Sequence, residues 1–115
     1  MFMRRGEVYY ADLRTTRGCE QGGIRPVLII QNNVGNYFSH TTVIAVLTKR
    51  SHHKPSLPTH VYIMSRDGLY SDSIVMAEQI RTIDKSRILS RITSLNEVEM
   101  KEVEKALLNS LGIYH

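Results

Sequence analysis

The stretch Glu20–Asn32, EQGGIRPVLIIQN, limits what this chain can fold into more than any other. Gly22 and Gly23 let the backbone turn tightly and come close to a bound group. Pro26 pushes Arg25 out of the helical region and is itself tolerated at the first residue of a strand. Val27–Ile30 is then a short β-branched run with the character of a buried strand. A permanently charged side chain therefore stands where a loop meets a rigid strand, a good place to hold a phosphate. The plainer alternative is a surface ion-pair arginine after a glycine connector, because the local pattern alone is not specific.

The 115 residues, 42% of them hydrophobic, fit one domain over 1–115 with a modest core that needs no metal or disulfide staple. Cys19 is the only cysteine, which excludes an internal disulfide and a thiolate zinc cluster and fits a reducing cytoplasm. No apolar run approaches the roughly 18 residues of a membrane span. The start, MFMRRGEVYY, lacks a signal-type apolar region, so the mature protein is expected to begin near residue 1. The net charge of +4 is unevenly spread: Glu97–Lys105 carries four acids and two bases, leaving 13 bases and 7 acids elsewhere. A basic body suits a polyanion such as nucleic acid, or an acidic protein partner.

Glu7–Leu13 alternates with one more apolar face, as in an outer strand. Arg14–Gly23 is a polar loop, long enough to suggest a role of its own. Arg25–Asn32 is the second strand. Asn32-Asn33 and Gly35-Asn36 give turn chemistry, and Thr41–Thr48, apolar on both faces in its middle, is expected at the centre of a sheet. An equal-armed antiparallel hairpin of these two strands pairs Asn32 with Thr41 and Arg25 with Thr48. Facing Cβ atoms in such pairs lie roughly 4.5–5.5 Å apart, so guanidinium and hydroxyl can reach one phosphate; a one-residue slip would separate them.

Lys49–Pro58 is a basic loop. Its His52-His53 pair has no carboxylate or thiol beside it, so a solvated, phosphate-attracting loop is favoured over a metal site. Thr59–Met64 is a fourth strand, Asp67-Gly68 a turn, Ser73–Ala77 and Glu78–Ile83 one or two further strands, and Ile88–Leu95 the last. Ser94-x-x-Glu97 reads as a capping box opening a helix over about 96–111. Met100, Val103, Leu107 and Leu111 form its packing stripe, and Gly112 ends it. The fold expected is mainly β with a C-terminal α-helix: a strongly bent antiparallel sheet or SH3-like small barrel with the helix packed on it.

No P-loop, dinucleotide fingerprint, HExxH or nucleophile elbow appears. An arginine and a hydroxyl at one strand edge, with glycine-rich backbone and basic loops around them, can stabilise the dianionic phosphorane formed when an RNA 2′-OH attacks its own phosphate. That chemistry requires neither a metal nor a cofactor.

The segments RRGEVYYADL, EQGGIRPVLIIQNN-x-GN, LPTHV, AEQIRTIDK and the C-terminal SLG closely resemble the MazF/PemK toxins of bacterial toxin–antitoxin systems, over nearly the whole length. The resemblance implies the plasmid-maintenance toxin fold shared by MazF and CcdB. It also implies a homodimeric, metal-independent, sequence-specific endoribonuclease that cuts single-stranded mRNA to leave 2′,3′-cyclic phosphate and 5′-hydroxyl ends. By that likeness Arg25 and Thr48 are the catalytic pair, with charge neutralisation by Arg25 favoured over proton abstraction. Cys19, Glu20, Pro58, His60, Ser73, Glu78 and Gln79 are the base-recognising set. Cys19 and Arg17 depart from residues common in relatives, which bears on the preferred bases; a UACAU-type pentamer is expected. The implied partner is an acidic antitoxin that covers the RNA groove. Two rivals remain at this level: a gyrase poison resembling CcdB, which cleaves nothing, and a non-catalytic RNA-binding small barrel.

Overall fold

The computed structural model describes residues 2–14, 23–52 and 57–114. Six strands form one antiparallel sheet: β1 (Glu7–Asp12), β2 (Ile24–Ile29), β3 (Thr41–Lys49), β4 (His60–Ile63), β5 (Ser73–Asp84) and β6 (Ile88–Ser94). Their spatial order is β4-β5-β3-β2-β1-β6. Two helices complete the described fold, α1 (Asn33–Phe38) and α2 (Glu97–Leu111), with short 3-10 turns at Arg50–His52 and Lys85–Arg87.

β3 is central, as its two-sided apolar character predicts. β1, expected as an outer strand, instead pairs with β2 on one side and β6 on the other. Both of its faces are apolar enough for that place, since Val8 and Tyr9 point to opposite sides and both are buried. The outermost strands are β4 and β6, so the sheet is bent but not closed into a barrel.

The bend has a defined origin. β5 pairs with β3 at Val46↔Met76 and again at Ala45↔Ile80. Consecutive residues of β3 thus face residues of β5 that enclose Ala77, Glu78 and Gln79, an outsized bulge. β4 lies along the half of β5 before it, ending at His60↔Met76. An odd excess swaps the faces of the strand. Ile74 and Met76 before the bulge, and Ile83 after it, accordingly pack in the same cluster.

Two cores result. On one face Leu28, Leu47 and Val75 pack against Met100, Val103 and Ala106 of α2. On the other Ile29, Ile44, Met76 and Ile88 pack together with Met3 and Leu13. Each fully buried aliphatic side chain contributes about 1.5–3 kcal/mol. Leu111, expected in the helix stripe, is exposed, and Ala106 takes the buried place.

Capping also differs from the sequence reading. Asn96, not Ser94, caps α2: its side chain accepts from the Glu99 amide at 2.8 Å, and Glu99 accepts from the Asn96 amide at 3.0 Å. Gly112 ends the helix in the left-handed region at φ 70°. The expected turn between β2 and β3 contains α1, opened by Asn32, whose side chain accepts from the Gly35 amide at 2.8 Å. Buried Asn36 secures it, donating to the Gln31 carbonyl at 2.9 Å and accepting from the Thr42 hydroxyl at 2.8 Å.

The gap between β4 and β6 is spanned by the Asp67-Gly68 turn. Arg66 and Leu69 exchange backbone hydrogen bonds of 2.8 and 2.9 Å across it. Gly68, at φ +91°, presses on β6: a Cβ there would lie 2.1 Å from the Ile92 carbonyl oxygen. The Arg66 guanidinium reaches over to α2 in a two-pronged pair with Glu99, one prong at 2.8 Å.

Candidate active site

The β2–β3 register is the one that the equal-armed hairpin requires: Val27↔Val46, Leu28↔Ala45 and Ile29↔Ile44. Continued toward the strand ends, it brings Arg25 opposite Thr48. Arg25 alternates in phase with Val27 and Ile29, and Thr48 with Val46 and Ile44, so both leave the sheet on the same face. Both border one cleft of about 400 Å³ together with residues 68–71, while Tyr10, Pro26, Leu47 and Lys49, of the opposite strand phase, border it from the other face of the sheet. Thr48 is buried at 7% exposure and Arg25 is half-buried.

Among the described residues, the cleft carries Arg25 and Lys49 and no acidic side chain. Among the described residues, no carboxylate pairs with Arg25. A charge held in a cleft without a counter-ion favours an anion, and the neighbouring hydroxyl adds a donor. Ser73 lines the same cleft, but its hydroxyl donates to the Ser71 carbonyl at 2.8 Å.

The remaining sequence-assigned residues fall elsewhere. Pro58 and His60 line a second groove, of about 420 Å³, against Lys105 and Asn109 of α2. The His60 side chain is 2% exposed and its Nε2 lies 3.0 Å from Glu78 Oε2. The Thr59 hydroxyl donates to Glu78 Oε1 at 2.7 Å. Burial alone would raise the Glu78 carboxyl, but bonds from Thr59, its own backbone and His60 outweigh burial and hold it below the ordinary value. Gln79, next along the bulge, is exposed. Cys19 and Glu20 lie outside the described residues, as does His53. Among the described residues no group of three His, Cys, Asp or Glu side chains converges as a metal ion would need.

Comparison with known proteins gives this arrangement a context. A family model described as the PemK-like, MazF-like toxin of type II toxin-antitoxin system matches residues 4–111. The chain belongs to this family. It is 50% identical to the endoribonuclease MazF of Staphylococcus saprophyticus over 97% of this chain and 93% of that protein. It is 49% identical to the endoribonuclease EndoA of Bacillus subtilis over 98% and 97% respectively. A mycobacterial endoribonuclease solved with its cognate antitoxin has the same fold, with a TM-score of 0.81 at 27% identity over 98% of both chains.

For a MazF-like toxin, the sequence reading located the Arg25–Thr48 juxtaposition and missed part of what surrounds it. Tyr10, Lys49 and Tyr70 also line the cleft. Tyr70 follows the Asp67-Gly68 turn, whose sequence signal was clear. What it faces depends on the contact of that turn with β6, a long-range feature with no local signature.

Proposed function

We propose that the chain, as a single toxin domain, cuts single-stranded mRNA at a UACAU-like site without a metal. The observation that carries this reading is that Arg25 and Thr48 border one cleft in which, among the described residues, there is no acid. Family membership supports it, and both curated relatives are named endoribonucleases. The chain is an endoribonuclease of the MazF-like toxins.

In the proposed reaction the RNA supplies its own nucleophile. The 2′-oxygen bonds to the adjacent phosphorus as its proton departs to solvent. The P–O5′ bond then breaks, and the leaving oxygen takes up a proton. The products carry a 2′,3′-cyclic phosphate and a 5′-hydroxyl. Arg25 neutralises the charge that builds on the phosphorane and Thr48 donates to a phosphoryl oxygen, so the protein supplies orientation and electrostatics. Ser73 borders the reacting phosphate, while Cys19, Glu20, Pro58, His60, Glu78 and Gln79 form the base-recognising surface. The active form is a cytoplasmic homodimer, inhibited by an acidic antitoxin laid over the RNA groove. The basic body of the chain suits that partner, and a relative's structure with its cognate antitoxin supports this part of the reading.

The test is incubation of the purified protein with a UACAU-containing RNA in EDTA, with the ends of the products mapped. Cleavage that disappears in a folded Arg25→Ala variant is the expected result. Cleavage undiminished by that change defeats the mechanism. RNA left whole by the wild type defeats the nuclease reading and favours a gyrase poison or a simple RNA binder.

A further inference from the structure

We infer that Tyr70 and Tyr10 form a stacking platform for the nucleobases that flank the scissile phosphate. This rests on the RNA-cleaving reading above and adds binding residues to the same cleft. Both tyrosines line the cavity that holds Arg25 and Thr48. Tyr70 is 85% exposed and Tyr10 41% exposed.

Five other aromatic rings are engaged, and Tyr114, exposed at the end of the chain, does not line the cleft. The Tyr9 side chain is buried and its hydroxyl donates to Glu7 at 3.0 Å. Arg50 covers the Tyr62 ring at 4.7 Å. Tyr37 packs edge to face with both Phe2 and Phe38. Among the described residues, the rings of Tyr10 and Tyr70 have no aromatic or cationic partner. Two uncovered rings bordering the same cleft as an anion-seeking guanidinium suit a ligand with phosphate and π-faces together, namely a single-stranded polynucleotide.

The mounting of Tyr70 strengthens the case. An exposed side chain on a loose loop would lose much of its contact energy in becoming ordered. Tyr70 instead follows a turn fixed three ways: by the Arg66–Leu69 backbone bonds, by Gly68 seated against Ile92, and by the Arg66–Glu99 pair. Tyr10 sits on β1, paired with Pro26 of β2, so it too is held by the sheet and borders the cleft from the face opposite to Arg25. The backbone beneath both rings is pre-set, and a tyrosine has few torsions left to restrict.

Stacking tolerates any base, so the platform contributes affinity rather than sequence choice. Tyr70→Ala is therefore expected to raise KM about 5- to 150-fold for matched and single-mismatch RNAs alike, the equivalent of ~1–3 kcal/mol of stacking. The kcat at saturation stays near wild type. Tyr10→Ala acts in the same direction and less strongly, because that ring is less open.

The direct probe is an RNA with 2-aminopurine beside the scissile linkage and a 2′-deoxy sugar at the cut, so that it binds without being cleaved. The chain has no tryptophan to interfere with the emission. Wild type and Tyr70→Phe should bind with the same change in emission. Tyr70→Ala and Tyr70→Leu should lose most of the change and bind more weakly, with unaltered melting. Wild-type affinity and emission in both Tyr70→Ala and Tyr10→Ala overturn the platform and leave the nuclease reading intact. A wild type that shows the ring-dependent emission change yet cuts no all-ribose RNA overturns the nuclease reading and leaves the platform standing.

Discussion

Two arginines flank the same cleft and are used in opposite ways. Arg66 lies behind the turn that forms one wall. Its guanidinium holds both oxygens of Glu99, and it donates further to the carbonyls of Met64 at 3.1 Å and Ser94 at 3.4 Å. Arg25 lines the cleft itself and, among the described residues, has no carboxylate partner. Arg66 spends its donors on the protein, so its charge fixes architecture. Arg25, among the described residues, spends none of its donors on a carboxylate. The same fork of N–H groups serves both ends because it is planar and permanently charged. What separates structure from function here is the presence or absence of a partner, rather than residue type or depth.

The comparison breaks most sharply at Arg25. Arg25→Ala should lower kcat about a thousandfold, in line with removing a phosphate-neutralising arginine. Its unfolding free energy should stay within ~0.5 kcal/mol of wild type, as expected where no native partner is lost. Thr48→Val removes only the hydroxyl and should cost about a hundredfold. Cleavage kinetics and urea unfolding on the same samples check both halves. A destabilised Arg25→Ala would reveal a structural role and erase the contrast.

Gly68→Ala probes the other wall. The added methyl meets the Ile92 carbonyl, in a backbone region unfavourable to alanine. A loss of about 3 kcal/mol of stability is expected, measured by urea unfolding.

Arg66→Ala should destabilise by ~2–3 kcal/mol, since it strands a half-buried carboxylate. The kcat of the protein that remains folded should fall less than tenfold. The pair also gives a pH signature. The hydrogen bond from Arg66 holds the Glu99 carboxyl below its ordinary value of 4.5, so the contribution is complete above that value. It is lost as pH falls through the lower, folded value. Glu99→Gln should therefore reduce stability at pH 7 and flatten the acid limb of a stability–pH curve. An unchanged acid limb would mean that the pair is not made in solution.

The smallest expected effect sharpens the helix boundary behind the clamp. Asn96→Ala should cost ~1 kcal/mol and Ser94→Ala within ~0.5 kcal/mol. Thermal melts of the two variants decide between the cap seen and the one suggested by spacing alone.

That boundary shows where the sequence was legible. Strand positions, the centrality of β3, the β2–β3 register and the Asp67-Gly68 turn follow from local pattern, because alternation and turn chemistry act over a few residues. Ser94-x-x-Glu97 and Asn96-x-x-Glu99 fit the same local rule. The choice between them is made by Arg66, which draws Glu99 from thirty-three positions away. Helix α1 was hidden because Asn32 and Gly35 favour turns as readily as short helices, and the bonds that settle the matter run to Thr42 and Gln31. The alternation of β1 suggests a peripheral strand because alternation reports faces and not neighbours. In the site, Arg25 and Thr48 are adjacent through a hairpin and could be found by counting. The separation of His60 and Glu78 from that cleft depends on the bulge in β5, which no local signal announced.

The bulge carries a consequence for how such a chain can diverge. Residues 77–79 form an odd excess between two halves of a strand that must each keep its apolar side inward. Gaining or losing one residue there would turn every later side chain of β5 inside out, whereas a change of two would preserve the phase. Inheritance can thus remodel this surface only in paired steps, so relatives should differ in length here by two residues or by none.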